Sequence, residues 1–215
     1  MSQLGPEKAL IFRITHIDNV PWILDHGLYC RSSSICDPDF RMIGNPELIE
    51  RRRHRLVPIP PGGPLSDYVP FYFTPSSIML YNIKTGWGGV TQVPQREIVV
   101  FVTSLRILAT RGIAFVFTDR HAYLEAANDH FYSRLEDLER IDWAIVSTRD
   151  FRADLNDPGK KERYQAEALV HRHLPVNALL GLACHGQQEE ARLRTELEKR
   201  RLSLKVVVKP DWYFR

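Results

Sequence analysis

Cysteine is scarce in this 215-residue chain. Cys30, Cys36 and Cys184 are an odd set, with neither the paired spacing of a zinc site nor the density of a disulfide framework. Free thiols suit a reducing compartment, so a cytoplasmic protein is expected. No apolar run approaches the ~18 residues of a membrane span. The opening segment, Met1-Ser2-Gln3-Leu4-Gly5-Pro6-Glu7-Lys8, has no basic region leading into an apolar stretch, and no signal peptide is expected. The histidines, His171 and His173 among them, show no metal-ligand spacing, and no metal is expected. A phosphate-binding glycine loop, an activated cysteine nucleophile, an internal repeat and a low-complexity tract are also missing. Charge of one sign does not dominate: 29 Lys and Arg against 26 Asp and Glu leave +3, which permits a polyanionic partner without requiring one.

What is present is ordinary globular composition, 44% hydrophobic and 26% charged, at a length suited to one domain over residues 1–215. Apolar runs predict strands at 9–14, 71–74, 98–102, 114–117, 143–146, 167–171, 179–184 and 204–208. Helices are expected at 18–26, ended by Gly27 and capped by Thr15 or Asp18, at 46–55 with Pro46 in the first turn, at 77–83 and at 187–201. Residues 31–45 read as loop, and the Pro- and Gly-rich stretch 57–64 has no regular structure. Short strands mixed with short helices indicate an α+β fold.

Glu167 is the most informative residue. It follows a polar, turn-rich loop, 156–163, and opens the apolar run Ala168-Leu169-Val170. A loop that delivers one acid to a strand edge can hold a catalytic carboxylate rigidly and leave its approach open. Read alone, such a residue is a solvated strand-edge acid. In Asp67-Tyr68-Val69-Pro70-Phe71-Tyr72-Phe73, strand parity puts Phe71 and Phe73 on one face, suited to core, and Tyr72 on the other. The densest positive charge is Glu50-Arg51-Arg52-Arg53-His54-Arg55. It is a solvated helix face unless one arginine turns inward, where its fork suits bidentate contact with phosphate. His121 sits on a loop after a strand, with an ordinary pKa of about 6.5 suited to holding or moving a proton near neutrality.

Taken in order, Thr15-His16-Ile17-Asp18-Asn19, Ile49-Glu50-Arg51-Arg52, the Tyr72 strand, Phe117-Thr118-Asp119-Arg120-His121 and Gln165-Ala166-Glu167 resemble the ADP-ribosyltransferase superfamily. The resemblance is closest to the DarT family of DNA-modifying toxins from DarT–DarG toxin–antitoxin systems. It covers the chain from about residue 8 to the last strand, and it implies two small packed β-sheets with flanking helices. It further implies NAD as co-substrate, with Arg13, Thr15, His16, Asn19, Arg51, Tyr72 and Met79 as its contacts. The position matching Arg13 is often histidine in the superfamily. Glu167, Arg51 and His121 take the catalytic roles, with Arg52 the alternative to Arg51 because the surrounding residues do not fix the register. For the polymer, Arg52, Arg53, Arg149, Arg152, Lys160, Lys161, Arg163 and Tyr164 are the candidate DNA contacts, although Asp150, Asp154, Asp157 and Glu162 nearly cancel the local charge. Tyr164 or Trp87 would stack on a splayed base. The implied acceptor is a base of single-stranded DNA, thymine first and guanine second, and the implied partner a DarG-like macrodomain antitoxin. Two other readings stay open: the same chemistry aimed at protein or RNA, and an inert nucleic-acid-binding module.

Overall fold

Strand β1 (Leu10–His16) runs through the middle of the computed structural model, which describes residues 4–215. The side chains of 125 and 126, and residues 1–3 at the start of the segment read for a signal peptide, lie outside that description. A short 3-10 turn leads from β1 into α1 (Val20–His26). Gly27 ends this helix at φ +87, and a Cβ there would come within 2.6 Å of the Leu174 carbonyl, so both backbone and space call for glycine. β2 (Leu28–Tyr29) follows, and α2 (Pro46–Arg51) starts after Asn45, whose side chain accepts from the Leu48 N–H.

Further along are β3 (Tyr68–Tyr72), α3 (Ile78–Thr85) capped by Ser77, β4 (Ile98–Ser104), α4 (Leu105–Thr110) capped by Ser104, β5 (Phe115–Thr118) and β6 (Phe131–Tyr132). The chain continues through α5 (Trp143–Thr148), α6 (Lys160–Tyr164), β7 (Glu167–His171), β8 (His173–Leu174), β9 (Gly181–Cys184), α7 (Gln187–Lys199) and β10 (Lys205–Val208).

Eight strands join in the order β10-β9-β4-β1-β3-β7-β5-β6, and β2 pairs with β8 in a separate ribbon. The long sheet has two halves. β1 pairs with β4 from Leu10–Ser104 to His16–Ile98, and β3 pairs with β7 from Tyr68–His171 to Tyr72–Glu167. Between the halves, β1 and β3 share the single pair Phe12–Tyr72. The two small sheets implied by the family resemblance are these halves, joined at one point. Proline explains the break. Pro70 turns its carbonyl toward β1, where it accepts from Arg13 Nη1 at 2.9 Å. A strand residue points its N and C=O to the same side, so Pro70 has no N–H to offer β1 and the ladder stops.

Phe71 and Phe73 are fully buried in the main core with Val99, Phe101 and Phe117, as their parity predicts. Phe12, Leu80, Ile83, Ile98 and Val100 form a second core on the other face. One predicted strand is a helix: 143–146 lies in α5, where the Asp142 carboxylate accepts from the Ile145 N–H at 3.0 Å. Four apolar residues are too few for periodicity to separate the two, and the cap decides. The cap of the first turn also differs from expectation, since His16 Nδ1, not Thr15 or Asp18, accepts from the Asp18 N–H at 3.1 Å.

Removing the cap in Asp142→Ala is expected to cost about 1 kcal/mol in urea unfolding. Asp142→Asn keeps a capping oxygen and should recover most of that loss, although it gives up the ion pair with Arg163. Equal destabilisation by both would place the effect in the ion pair instead.

Candidate active site

Where β1 and β3 part, a cavity of about 250 Å³ opens. Arg13 and Thr15 of β1, Tyr72 of β3, Met79 of α3, Arg52 after α2 and Glu167 of β7 reach it from separate elements. The segment 31–45 covers the opposite wall with Ile35, Phe40, Met42 and Ile43.

Glu167 is 2% exposed, so the alternative reading of a solvated strand-edge acid does not hold. Both carboxylate oxygens accept hydrogen bonds, and the backbone is tied as well. Its backbone N–H donates to Thr118 Oγ1 at 3.3 Å, and its Oε1 accepts from the Ala122 N–H at 3.2 Å. Arg52 Nη1 donates to Oε2 at 2.9 Å and to Oε1 at 3.3 Å, while His121 Nδ1 lies 3.4 Å from Oε1. The loop that brings Ala122 and His121 is itself anchored. Thr118 Oγ1 donates to the Arg120 carbonyl, Arg55 donates to the carbonyls of Ala122 and Leu124, and Asp119 accepts from Arg120 and Tyr132 and contacts His130. Thr118, Asp119, Arg120 and His121 lay in a motif that stood out in the sequence, but the contacts by which they and Arg55 support Glu167 did not. A backbone N–H leaves no trace there, and Arg55 was visible only as one more charge in a basic run.

The arginine register resolves by one position. Arg51 faces solvent and pairs with Glu47, whereas Arg52 is buried against Glu167. One residue turns the side chain through ~100° about a helix axis, so a single-step error exchanges the outer face for the inner one. The expectation that Arg51 points inward is thereby corrected, and Arg52 belongs to the cavity rather than to an outer DNA face. Arg53 pairs with Glu50 at the surface.

Buried guanidinium atoms mark what this cavity suits. Among the described residues, Arg13 Nε and Arg52 Nη2 are buried without a hydrogen-bond partner. Burial pushes the Arg13 pKa down to about 10, with Tyr72 opposing and Arg52 adding to the fall, so the group stays cationic at neutrality. Burial, and then the Glu167 charge, push the Tyr72 hydroxyl up and keep it neutral. His121 is pushed below its ordinary value, first by burial and also by Arg52, with Glu167 opposing. Its Nδ1 accepts from the Tyr123 N–H at 3.2 Å, which puts the proton of the neutral ring on Nε2.

Other expected contacts lie elsewhere. His16 is outside the cavity wall, with Nε2 3.1 Å from Glu97 Oε2, and the Asn19 amide is spent on Thr15 and Arg41. Tyr164 cannot stack on a base, being 1% exposed with its hydroxyl bonded to the Ser76 carbonyl. Arg149 donates to the carbonyls of Asp211 and Tyr213. Arg152 and Lys160 share Asp150, and Arg163 pairs with Asp142 and Asp157. Lys161 and Trp87 are exposed. No cluster able to hold a metal ion occurs among the described residues.

Fold and site together are those of an ADP-ribosyltransferase. The family model described as ssDNA thymidine ADP-ribosyltransferase, DarT, matches residues 12–214. A DNA ADP-ribosyl transferase of Escherichia coli O127:H6 is 48% identical over 213 residues, covering 99% of this chain and 97% of that protein. Thermus sp. 2.9 DarT in complex with ADP-ribosylated ssDNA superposes with a TM-score of 0.90 at 35% identity, covering 100% of both chains. The same protein in complex with NAD+ gives 0.86 at 34% identity, covering 98% of this chain and 100% of that one. A DNA ADP-ribosyl transferase–glycohydrolase fusion protein of Thermosipho africanus is 22% identical over 97% of this chain and 50% of its own length. The chain belongs to the DarT family.

The burial of His121 can be tested by NMR titration. The imidazole should titrate below about 6.5, and lower still in Glu167→Gln, because the carboxylate is what holds the value up. Folding depresses this pKa, so the stability it contributes is fully present above about pH 6.5 and is lost as pH falls through the folded midpoint. A midpoint at or above 6.5 would mean that Glu167, not burial, governs the ring.

Proposed function

We propose that this chain transfers ADP-ribose from NAD to the thymine base of single-stranded DNA, with release of nicotinamide. The observation that carries the reading is the buried Arg52–Glu167 pair at the floor of a cavity where Arg13 and Arg52 each keep an unpartnered N–H. A buried polar group without a partner costs about 1–3 kcal/mol, and more when charged. An anionic, oxygen-rich ligand such as NAD relieves that cost, and the donor set fits it. The relatives' printed activities and the Thermus complexes with NAD+ and with ADP-ribosylated ssDNA support the same reading.

Bound NAD supplies an electrophilic ribose carbon and nicotinamide as the leaving group. Glu167 supplies the negative charge that stabilises positive charge developing there, as the carboxylates of glycoside hydrolysis do. Arg52 and the Ala122 N–H fix its orientation, so little reorganisation is needed. Thr15, Tyr72 and Met79 line the wall that would receive the nicotinamide riboside, and Arg13 and Arg52 face its phosphates and hydroxyls.

In thymidine N1 carries the deoxyribose, which leaves N3 as the ring nitrogen bearing a proton. A new C–N bond to N3 replaces the bond to nicotinamide, and the N3 proton passes to solvent water. A neutral His121 offers Nε2–H to a thymine carbonyl, which stabilises the charge that spreads onto oxygen as the proton leaves. Extracting a base from a duplex costs a few kcal/mol, so a single strand is the better substrate.

The reading includes a cytoplasmic site of action, supported by the free thiols Cys30, Cys36 and Cys184. It also includes a toxin role with a DarG-like macrodomain partner that removes the modification. The Thermosipho fusion, which joins a glycohydrolase to the transferase in one chain, supports that pairing.

The test is mass spectrometry of oligonucleotides, each lacking one base, single-stranded and duplex, incubated with NAD over a salt series. Thymine-containing single strands should be modified, duplexes much less, and all less as salt rises. Modification that survives loss of thymine but not of guanine would transfer the acceptor to guanine. Modification of protein or RNA alone would overturn the DNA reading.

Glu167→Gln keeps the shape of the site and should slow transfer by about a hundredfold or more. Arg52→Ala should raise KM for NAD steeply, while Arg51→Ala stays within about twofold of the parent. The reverse order for the two arginines would overturn the assigned register.

A further inference from the structure

Asn19, in the turn between β1 and α1, is 1% exposed and does not line the cavity. Its amide is fully engaged. Nδ2 donates to Thr15 Oγ1 at 3.0 Å and to the Arg41 carbonyl at 2.9 Å, and Oδ1 accepts from the Arg41 N–H at 2.8 Å. The two backbone contacts fix which end of the amide is oxygen, since an N–H needs an acceptor and a carbonyl needs a donor. Nδ2 is therefore the atom that faces Thr15.

A threonine hydroxyl has one proton and two lone pairs. With a lone pair of Thr15 taken by Asn19, its proton is free to point elsewhere, and it has no acceptor among the described residues. Thr15 lines the cavity, so the direction left for its O–H is into the cavity. On the other side of the amide, Arg41 belongs to the segment that covers the site. Its neighbours Phe40 and Met42 form cavity wall, while its own guanidinium turns away to Asp18 and lies 3.4 Å from His16 Nε2.

We infer that Asn19 is a positioning residue with two linked actions: it turns the Thr15 hydroxyl into a donor for an oxygen of the ligand, and it clamps segment 31–45 over that ligand. The inference rests on NAD as the ligand, whose ribose hydroxyls and carboxamide supply such oxygens. It replaces the direct contact with NAD expected for Asn19 from sequence. One amide thereby serves both the polar floor of the site and its apolar cover, so loss of the amide releases the two together.

The test compares Thr15→Val, Thr15→Ser, Asn19→Ala, Asn19→Asp and the Thr15→Val/Asn19→Asp pair. The readouts are NAD affinity by calorimetry, KM and kcat for transfer, and the rate of trypsin cleavage after Arg41 in the absence of ligand. Thr15→Val should weaken NAD by about tenfold and leave cleavage unchanged, with Thr15→Ser close to the parent. Asn19→Ala should weaken NAD and speed cleavage, raising KM with kcat largely kept. Asn19→Asp keeps an acceptor for the Arg41 N–H, loses the donor to the Arg41 carbonyl and draws the Thr15 proton back toward itself. It should weaken NAD at least as Thr15→Val does and speed cleavage, and the pair should lose clearly less than the sum of the two single losses.

Fully additive losses in the pair would overturn the orienting action. A lower Tm in Asn19→Ala, with NAD affinity and cleavage unchanged, would reduce Asn19 to a packing role. If the parent chain itself failed to bind NAD, the functional reading would fall and the hydroxyl action with it. The cleavage rates would still decide the clamp.

Discussion

The site exists because Pro70 cannot donate a hydrogen bond. β1 and β3 meet at Phe12–Tyr72 and would zip further if β3 offered an N–H one pair along. The Pro70 carbonyl instead takes the Arg13 guanidinium, so a side chain spans a gap that a backbone ladder would have closed. The sheet halves on either side remain well paired, β1 with β4 and β3 with β7. Rigid strands therefore border an opening within the sheet, and residues at strand ends can face it without the mobility of loops. Tyr72 and Glu167 are themselves a register pair of β3 and β7, so one ladder sets the distance between ring and carboxylate.

A second constraint follows from what is buried there. Arg52 and Glu167 are 12% and 2% exposed, and neither charge is tolerable without the other. Loss of one leaves an uncompensated buried ion, which is why the surrounding loop is tied so closely. Thr118, Ala122 and Arg55 hold the corner that presents a backbone N–H to the carboxylate. Two electropositive atoms, Arg13 Nε and Arg52 Nη2, are left over once the protein's own acceptors are used. That surplus of positive character suits the cavity to an anion. It makes the unliganded site a place of stored cost rather than of stability, as functional sites commonly are.

The legible parts of the sequence were those in which one residue type has one use. Phe71 and Phe73 against Tyr72 followed from strand parity, and the β-branched run at 98–102 proved to be a strand buried almost throughout. Glu167 stood out through the loop before it, although its burial did not. The less legible parts depend on a rotation of one residue or on a partner distant in sequence. Arg51 and Arg52 have identical chemistry, and only the end of α2 decides which faces Glu167, a residue 115 positions away from Arg52. Tyr164 looked like a stacking platform because composition does not report that its hydroxyl reaches Ser76 across the core. The segment 143–146 was misread because four apolar residues fit either period, and the deciding oxygen belongs to the residue before them.

Charge distribution shows the same dependence on distant partners. The run from Arg149 to Arg163 is rich in cations, yet Asp142, Asp150 and Asp157 and the C-terminal carbonyls use most of them to hold the loop before β7. Those cations fix the approach to Glu167 more than they project a field, because an ion pair seen from a Debye length away is nearly neutral. Arg51 and Arg53 are likewise compensated by Glu47 and Glu50, but in exposed pairs that solvent already weakens. A phosphate backbone can compete for cations of that kind at little cost, whereas detaching Arg163 or Arg149 would loosen the loop that borders Glu167. The face beside α2 is therefore better placed than the loop before β7 to take the proposed single strand.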